Sequence, residues 1–423
     1  MTHSSALPSP TDLHDDQVTT LLRSGLHATL LAAYFGEAEY RELCFLAKLA
    51  ATRRNRRGKL VFVLPGVMGS RLGTALRGAH SLIWLHPSAV AHGALAQLAL
   101  PGSNRLKAFG VMLPGYLKLK LWLEVAGFRP IFYPYDWRSD LPSLARAFAR
   151  AIERAGVSKV HVVAHSMGGL VARLALARNR PRALGKLVQL GAPNSGSFAP
   201  VQAMRAVYPT VRKIAALDRA HSAEELARTV FRTFPGLYQM LPSPLSPKDP
   251  DFFDLQAWPD DDLKPDAAML ARARRIRARM PSADDRCYVI AGIGQETVTT
   301  AALDNGELRY ELTYSGDGTV PLARARWRDA PTWFVNENHG ALTKNNEVLQ
   351  AIVDILQKGE TSRLLTEAPE AMNDGYVRVI TDREMRAAVS GKVQWDELSL
   401  DSRRRILEPV VTAEFANSDT HQI

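Results

Sequence analysis

Cysteine is almost missing from this chain: 423 residues hold two, Cys44 and Cys287, far apart. That excludes a disulfide framework, and their apolar or strand-like neighbours read as the setting of buried thiols, compatible with a reducing compartment. Zinc-finger spacing and RNP-like aromatic runs are also lacking, so no nucleic-acid partner is expected. The opening segment "MTHSSALPSPTDLHDDQ" is polar and acidic where a secretory leader is basic and then apolar. No export peptide is read, and the cytoplasm is the default location. Long apolar runs are scarce too. The segment from Leu82 to Leu100 has no formal charge, but two His, a Pro, a Ser, a Gln and a Gly interrupt it. It reads as a buried or interfacial helix and not as a membrane span.

An apolar share of 46% and a charged share of 23% are those of a globular protein. The length suits one large domain with appendages, or two of ordinary size. Lys and Arg outnumber Asp and Glu by 53 to 43, a formal net charge of +10. Arginine concentrates at Arg53, Arg54, Arg56 and Arg57, and again at Arg272, Arg274, Arg275, Arg277 and Arg279. Such runs ordinarily keep a helix face or linker wet. If they meet a polyanion, peripheral contact with an anionic membrane is the better expectation for this chain.

Apolar residues recur at helical spacing from Gln17 to Arg54, which predicts two amphipathic helices. Short apolar runs then alternate with helical stretches: "KLVFVLPG", "RPIFYPYD", "KVHVVAHS", "GKLVQLGAP", "RCYVIAGIG" and "TWFVNENHG". Unalternated Val, Ile and Leu mark strands buried on both faces, and helices between them imply right-handed crossovers. The expected fold class is therefore α/β, a mainly parallel central sheet flanked by helices. Three segments are expected: an N-terminal helical extension at 1–57, the main domain at 58–360 and a small C-terminal extension at 361–423. The stretch from about 198 to 284 is too long for one crossover and reads as a helical cap over the sheet's carboxyl edge. The C-terminal extension should hold a small strand and two helices.

Within "VVAHSMGG", Ser166 lies between a strand and a helix, with the small residues Ala164 and Gly168 two positions away on either side. This is the pattern of a nucleophile elbow, whose sharp turn leaves no room for larger neighbours; Gly is the usual residue where Ala164 stands. A serine hydroxyl needs a base and an orienting carboxylate, which follow it in the order acid, then histidine. His339, in "NENHGAL", directly follows the last strand; His221 falls in the cap, His421 at the chain end, and His165 leaves the elbow in another direction. For the acid, Asp317 between Gly316 and Gly318 is favoured. Asp304 fits a hairpin residue beside an Asn305-Gly306 turn, and Asp136 precedes the nucleophile, so a salt bridge or loop hydrogen bond suits it better. An oxyanion hole calls for the backbone N–H of Met167 and one from the loop "LPGVMGS", at Val67 or alternatively Met68.

The ordered motifs "VLPGVMGSRL", "SLIWLHP", "PYDWR", "VVAHSMGGLVAR", "LGAPNSGS", "FPGLYQMLP", "GDGTVPL" and "NHGAL" resemble the lecithin:cholesterol acyltransferase family of α/β-hydrolases, roughly over Lys59 to Lys358. The resemblance implies an α/β-hydrolase fold with Ser166, Asp317 and His339 as triad, and Val67 and Met167 as oxyanion donors. It implies acyl transfer from a lipid ester, to water in an esterase, lipase or phospholipase, or to an alcohol in an acyltransferase. The disulfides and signal peptide of secreted members are missing here, which points to a bacterial-type intracellular relative. Phe231, Phe234, Leu237, Tyr238, Met240 and Leu241 are candidates to line an acyl pocket, with Met68 also near the substrate; no metal or organic cofactor is required. A docking module on a decayed hydrolase scaffold is the alternative, and the intact Ser, Asp and His argue against it.

Overall fold

The computed structural model describes residues 13–53, 57–76, 79–102, 106–177, 183–369 and 375–388, with Val393, Ser399 and Ser402. Helices α1 (Asp15–Ser24), α2 (Ala28–Phe35) and α3 (Glu37–Arg53) precede strand β1 (Leu60–Leu64). Strands β2 (Ser70–Leu76) and β3 (Ala79–Trp84), helix α4 (Pro87–Ala91) and strand β4 (Lys107–Val111) follow. Next come α5 (Leu113–Val125), β5 (Arg129–Phe132), α6 (Leu141–Arg154), β6 (Val160–His165), α7 (Met167–Ala177) and β7 (Leu184–Leu190). The cap consists of α8 (Ala199–Met204), α9 (Pro209–Leu217), α10 (Ala223–Thr229), α11 (Pro235–Gln239) and α12 (Ala267–Arg277), joined by 3-10 turns. The chain continues through β8 (Cys287–Ile293), β9 (Thr297–Asp304), β10 (Glu307–Thr313), α13 (Leu322–Ala325), β11 (Thr332–Asn336), α14 (Asn346–Lys358), β12 (Arg378–Thr381) and α15 (Asp382–Ala388).

Six strands form the central sheet in the order β11-β8-β7-β6-β1-β5, parallel throughout. Their apolar runs divide by parity. Leu60, Phe62, Leu64, Val160, Val162 and Leu187 face one core with α6, α7 and the cap, while Val61, Val63, Val163, Val188 and Leu190 face another with α1 to α3, α5 and α14. Helix α6 shows why the layers hold. Asp140 caps it by accepting the Ser143 N–H, and Leu141, Leu144, Ala145, Phe148 and Ile152 make one apolar stripe against the sheet. Burying Phe148 alone contributes about 1.5–3 kcal/mol. The sheet order also positions chemistry: β5 and β6 lie on opposite sides of β1, so the connections reverse there and the loops leaving β1 and β6 emerge side by side.

Several sequence expectations change. The N-terminal region forms three helices, because Gly25 and Gly36 adopt φ of 73° and 86° and stop the first two. The Leu82 to Leu100 segment is not one helix: it finishes β3, makes the short α4 and ends in a 3-10 turn at Ala94–Leu98. Its strand pairs with β2, which also pairs with β4, in a separate antiparallel sheet. Among the described residues, no helix is long and apolar enough to cross a membrane. Cys287 is buried, but Cys44 is only half-buried, and neither forms a disulfide. The Asn305-Gly306 hairpin forms as expected, with φ of 48° and 78° at its turn. Of the C-terminal elements expected, β12 pairs with β10 and α15 follows it; the second helix lies outside the described residues.

Candidate active site

Ser166 sits where β6 passes into α7, and its backbone takes a φ of 52°. A non-glycine residue in this region is strained, and the strain lifts the side chain off the strand end. The elbow is pinned by Ser166 N–H donating to Leu190 O at 2.8 Å and Gly169 N–H donating to Ser166 O at 2.9 Å. Glycine is needed at 168, where a Cβ would lie 2.5 Å from Pro65 O. On the strand side the smaller constraint is met by Ala164, fully buried between Leu64 and Gln189 of the neighbouring strands.

The loop leaving β1 abuts the serine. A Cβ on Gly66 would lie 2.9 Å from Ser166 Cβ and 3.4 Å from its Oγ, so only glycine lets this backbone approach. Met68 takes a φ of 63°, its carbonyl accepting from Trp84 Nε1 at 2.7 Å. The N–H groups of Val67 and Met167 have no protein acceptor among the described residues; Met167 begins α7, where helical donors are unpaired by geometry.

Asp317 and His339 meet on the far side. His339 Nδ1 and Asp317 Oδ2 are 2.8 Å apart, and His339 N–H donates to Asp317 O at 2.8 Å. The other carboxylate oxygen accepts from the N–H groups of Thr319 at 3.0 Å and Val320 at 2.7 Å, the tight turn foreseen around Gly316 and Gly318. Since a carboxylate only accepts, the hydrogen between them is carried by Nδ1, which leaves Nε2 as the nitrogen that could act as a base. Gly191, at φ 54°, follows the residue that holds Ser166 N–H; a Cβ there would lie 2.9 Å from His339 Nδ1 and 3.0 Å from Asp317 Oδ2. Ser166, His339 and Asp317 are 5%, 2% and 1% exposed, so the site is closed. Over it lies α11, whose Gly236 approaches Met167 Cε so closely that a Cβ would lie 2.8 Å from it.

Other candidates have separate partners. Asp304 pairs with Arg309 at 2.8 Å, Asp136 with Arg138 at 2.7 Å, and His221 with Asp218 at 3.0 Å. His421 lies outside the described residues. Phe234, Leu237 and Tyr238 are buried in the main core, Phe234 packing edge-on against Trp137 and Tyr238 Oη donating to Arg232 O at 3.0 Å. Among the described residues, no cluster of three or more His, Cys, Asp or Glu is arranged to hold a metal.

His165, whose neighbour in the chain is Ser166, is buried against His339. Its Nε2 lies 3.0 Å from His339 O, and its Nδ1 lies 2.9 Å from Tyr116 Oη. A carbonyl cannot donate, so Nε2 bears the hydrogen and Nδ1 accepts from the tyrosine hydroxyl. That hydroxyl in turn accepts Gly66 N–H at 2.8 Å. One directional chain thus joins the loop beside Ser166 to the backbone of His339. Burial, with repulsion from His339, holds the His165 imidazole well below its ordinary pKa, and burial pushes Tyr116 well above its own. Tyr116 lies forty-nine positions from His165, and no local motif announces the pairing.

A family model for the alpha/beta hydrolase fold matches residues 129–272. The chain is similar to a chain in the Tle4-Tli4 complex, at 12% identity over 73% of this chain and 100% of that one, with a TM-score of 0.47. It is similar to the mature lipase BlEst2 of Bacillus licheniformis, at 13% identity over 72% and 94%, with a TM-score of 0.38. It is also similar to phospholipase PlaB from Legionella pneumophila, at 11% identity over 72% and 61%, with a TM-score of 0.34. No curated protein matches the chain. The fold is that of the α/β-hydrolases, a parallel six-stranded sheet flanked by helices.

Proposed function

We propose that this protein is a serine hydrolase of lipid esters, related to the lecithin:cholesterol acyltransferase-like branch of α/β-hydrolases. The observation that carries the reading is the buried Asp317–His339 pair, 2.8 Å apart, on the loop side of a strained Ser166 elbow. His339 Nε2 takes the Ser166 proton as Oγ bonds to the acyl carbonyl carbon, and the carbonyl electron pair moves onto oxygen. The Val67 and Met167 N–H groups stabilise that oxyanion, each worth about 10²–10³ in rate. Collapse breaks the ester C–O bond, and the imidazolium returns its proton to the departing alcohol. Water then attacks the acyl-enzyme through the same base, releasing a fatty acid and restoring Ser166.

The acyl chain is assigned to the cap side, against Met68, Phe234, Leu237 and Tyr238, after α11 moves away from Met167. The arginines exposed on and just after α12, Arg275 and Arg279, are the surface offered to an anionic membrane from the cytoplasm. Hydrolysis of p-nitrophenyl esters of increasing acyl length tests the reading. Turnover should favour medium or long chains and vanish in Ser166→Ala. Preference for acetate would sink the lipid assignment, and unchanged turnover in the variant would sink the nucleophile.

A further inference from the structure

Three arginines from distant parts of the chain converge where the cap meets the sheet. Arg173 of α7 donates through Nε to Pro281 O at 2.8 Å and through Nη1 to Asn194 O at 3.0 Å. Arg277, the last residue of α12, donates through Nη2 to the same Asn194 O at 2.7 Å. Arg324 of α13 donates through Nη1 to Ser195 O at 3.1 Å and Ser243 O at 2.6 Å, while Arg277 Nε reaches Ser243 Oγ at 3.4 Å. Every one of these acceptors is neutral. The carboxylate in range is Asp249, 3.9 Å from Arg324 Nη2 and already accepting from Leu245 N–H and Ser246 Oγ. Asp284 is engaged by Arg286, and burial pushes the Cys287 thiol up to about 12, leaving it neutral at pH 7.

The surplus charge has a visible cost. Arg277 Nη1 is shut off from solvent with no hydrogen-bond partner. Burial, and repulsion from Arg173 and Arg324, draw Arg277 down to about 9; burial draws Arg173 and Arg324 to about 10. Gathering three guanidinium groups against one distant carboxylate is unfavourable unless an anion completes the set. Removing Asp249's charge from the three leaves a formal surplus of two, which matches a dianion, and guanidinium forks suit a phosphate's several oxygens.

We propose that Arg173, Arg277 and Arg324 form a binding site for a phosphate group. The group belongs either to free phosphate or to a phosphomonoester lipid headgroup such as that of phosphatidic acid. Asn194, which two of the arginines hold, shares a loop with Gly191, so occupancy would stiffen the chain beside the Asp317–His339 pair. The site does not depend on Ser166 being a nucleophile.

The test is thermal unfolding of the full chain in sodium phosphate against sodium chloride of equal ionic strength. The wild-type midpoint should rise with phosphate by about 1–3 °C per tenfold above Kd. Arg277→Met should lose that rise while unfolding in chloride no lower than wild type, since it removes an uncompensated buried charge. Should Arg277→Met not fold, Arg277→Lys keeps the charge without the fork and should bind phosphate at least tenfold more weakly. Flotation with phosphatidic acid vesicles, against phosphatidylcholine, separates the sources. Arg277-dependent flotation assigns the headgroup, and its absence with the thermal shift retained assigns free phosphate. No phosphate-dependent rise in wild type, or a rise that survives in Arg277→Met or in full in Arg277→Lys, overturns the proposal.

Discussion

Replacing His165 by phenylalanine keeps a planar ring beside Ser166 and removes both hydrogen bonds of its imidazole. Tyr116 Oη–H then loses its acceptor and His339 C=O loses a donor, in surroundings where Tyr116 and His339 are 4% and 2% exposed. Each stranded buried group costs about 1–3 kcal/mol, so the variant should lose roughly 2–6 kcal/mol of unfolding free energy. His165→Gln, which can return one partner, should lose about half as much. The pH dependence carries the sign. With its folded pKa depressed by burial, His165 takes up a proton more readily when unfolded, so its contribution is intact above the unfolded value of about 6.5. Below that, stability falls by up to ~1.4 kcal/mol per pH unit for this group. His161, lowered to about 4 mainly by burial, adds a fall of the same sign that the variant keeps. Urea unfolding of both proteins between pH 5 and 8 measures the difference, with the acid slope shallower in His165→Phe. A cost under ~0.5 kcal/mol together with an unchanged slope would refute the chain of hydrogen bonds.

Asp317→Asn should keep the fold but favour the wrong His339 tautomer, lowering kcat about 10³–10⁴-fold with KM little changed in ester kinetics. Gly191→Ala places a Cβ 2.9 Å from His339 Nδ1 at a φ of 54°, so turnover should fall at least about tenfold while circular dichroism keeps its native form. Arg205 binds Asp261 at 2.6 Å and the buried Asp382 at 2.8 Å, tying the cap to α15. Arg205→Met should therefore cost about 3–5 kcal/mol in urea unfolding.

Much of this architecture is legible in sequence because the physics is local. Runs such as Val160–His165 are buried on both faces and carry no alternation, and the elbow needs small residues at fixed offsets from Ser166. Asp317 between two glycines and His339 after a strand are equally local signals, and the fold brings the two side chains together. What escaped is non-local. Leu82 to Leu100 has helical composition, but its first residues are claimed by pairing with β2, a tertiary choice that overrides propensity. Gly25, at a φ of 73°, breaks the first of the two helices that the apolar spacing predicts. His165 with Tyr116, and Arg277 with Arg173 and Arg324, are pairings across the fold that no spacing encodes; in sequence Arg277 looks like one more member of a solvated arginine run.

Labelling of the whole chain with a fluorophosphonate, followed by peptide mapping in a mass spectrometer, asks whether Ser166 is an activated nucleophile. One stoichiometric adduct is expected on Ser166, slowed by about 10³-fold or more in His339→Ala and absent in Ser166→Ala. A folded protein that remains unlabelled, or that is labelled at some other residue at an equal rate in all three proteins, would contradict that role.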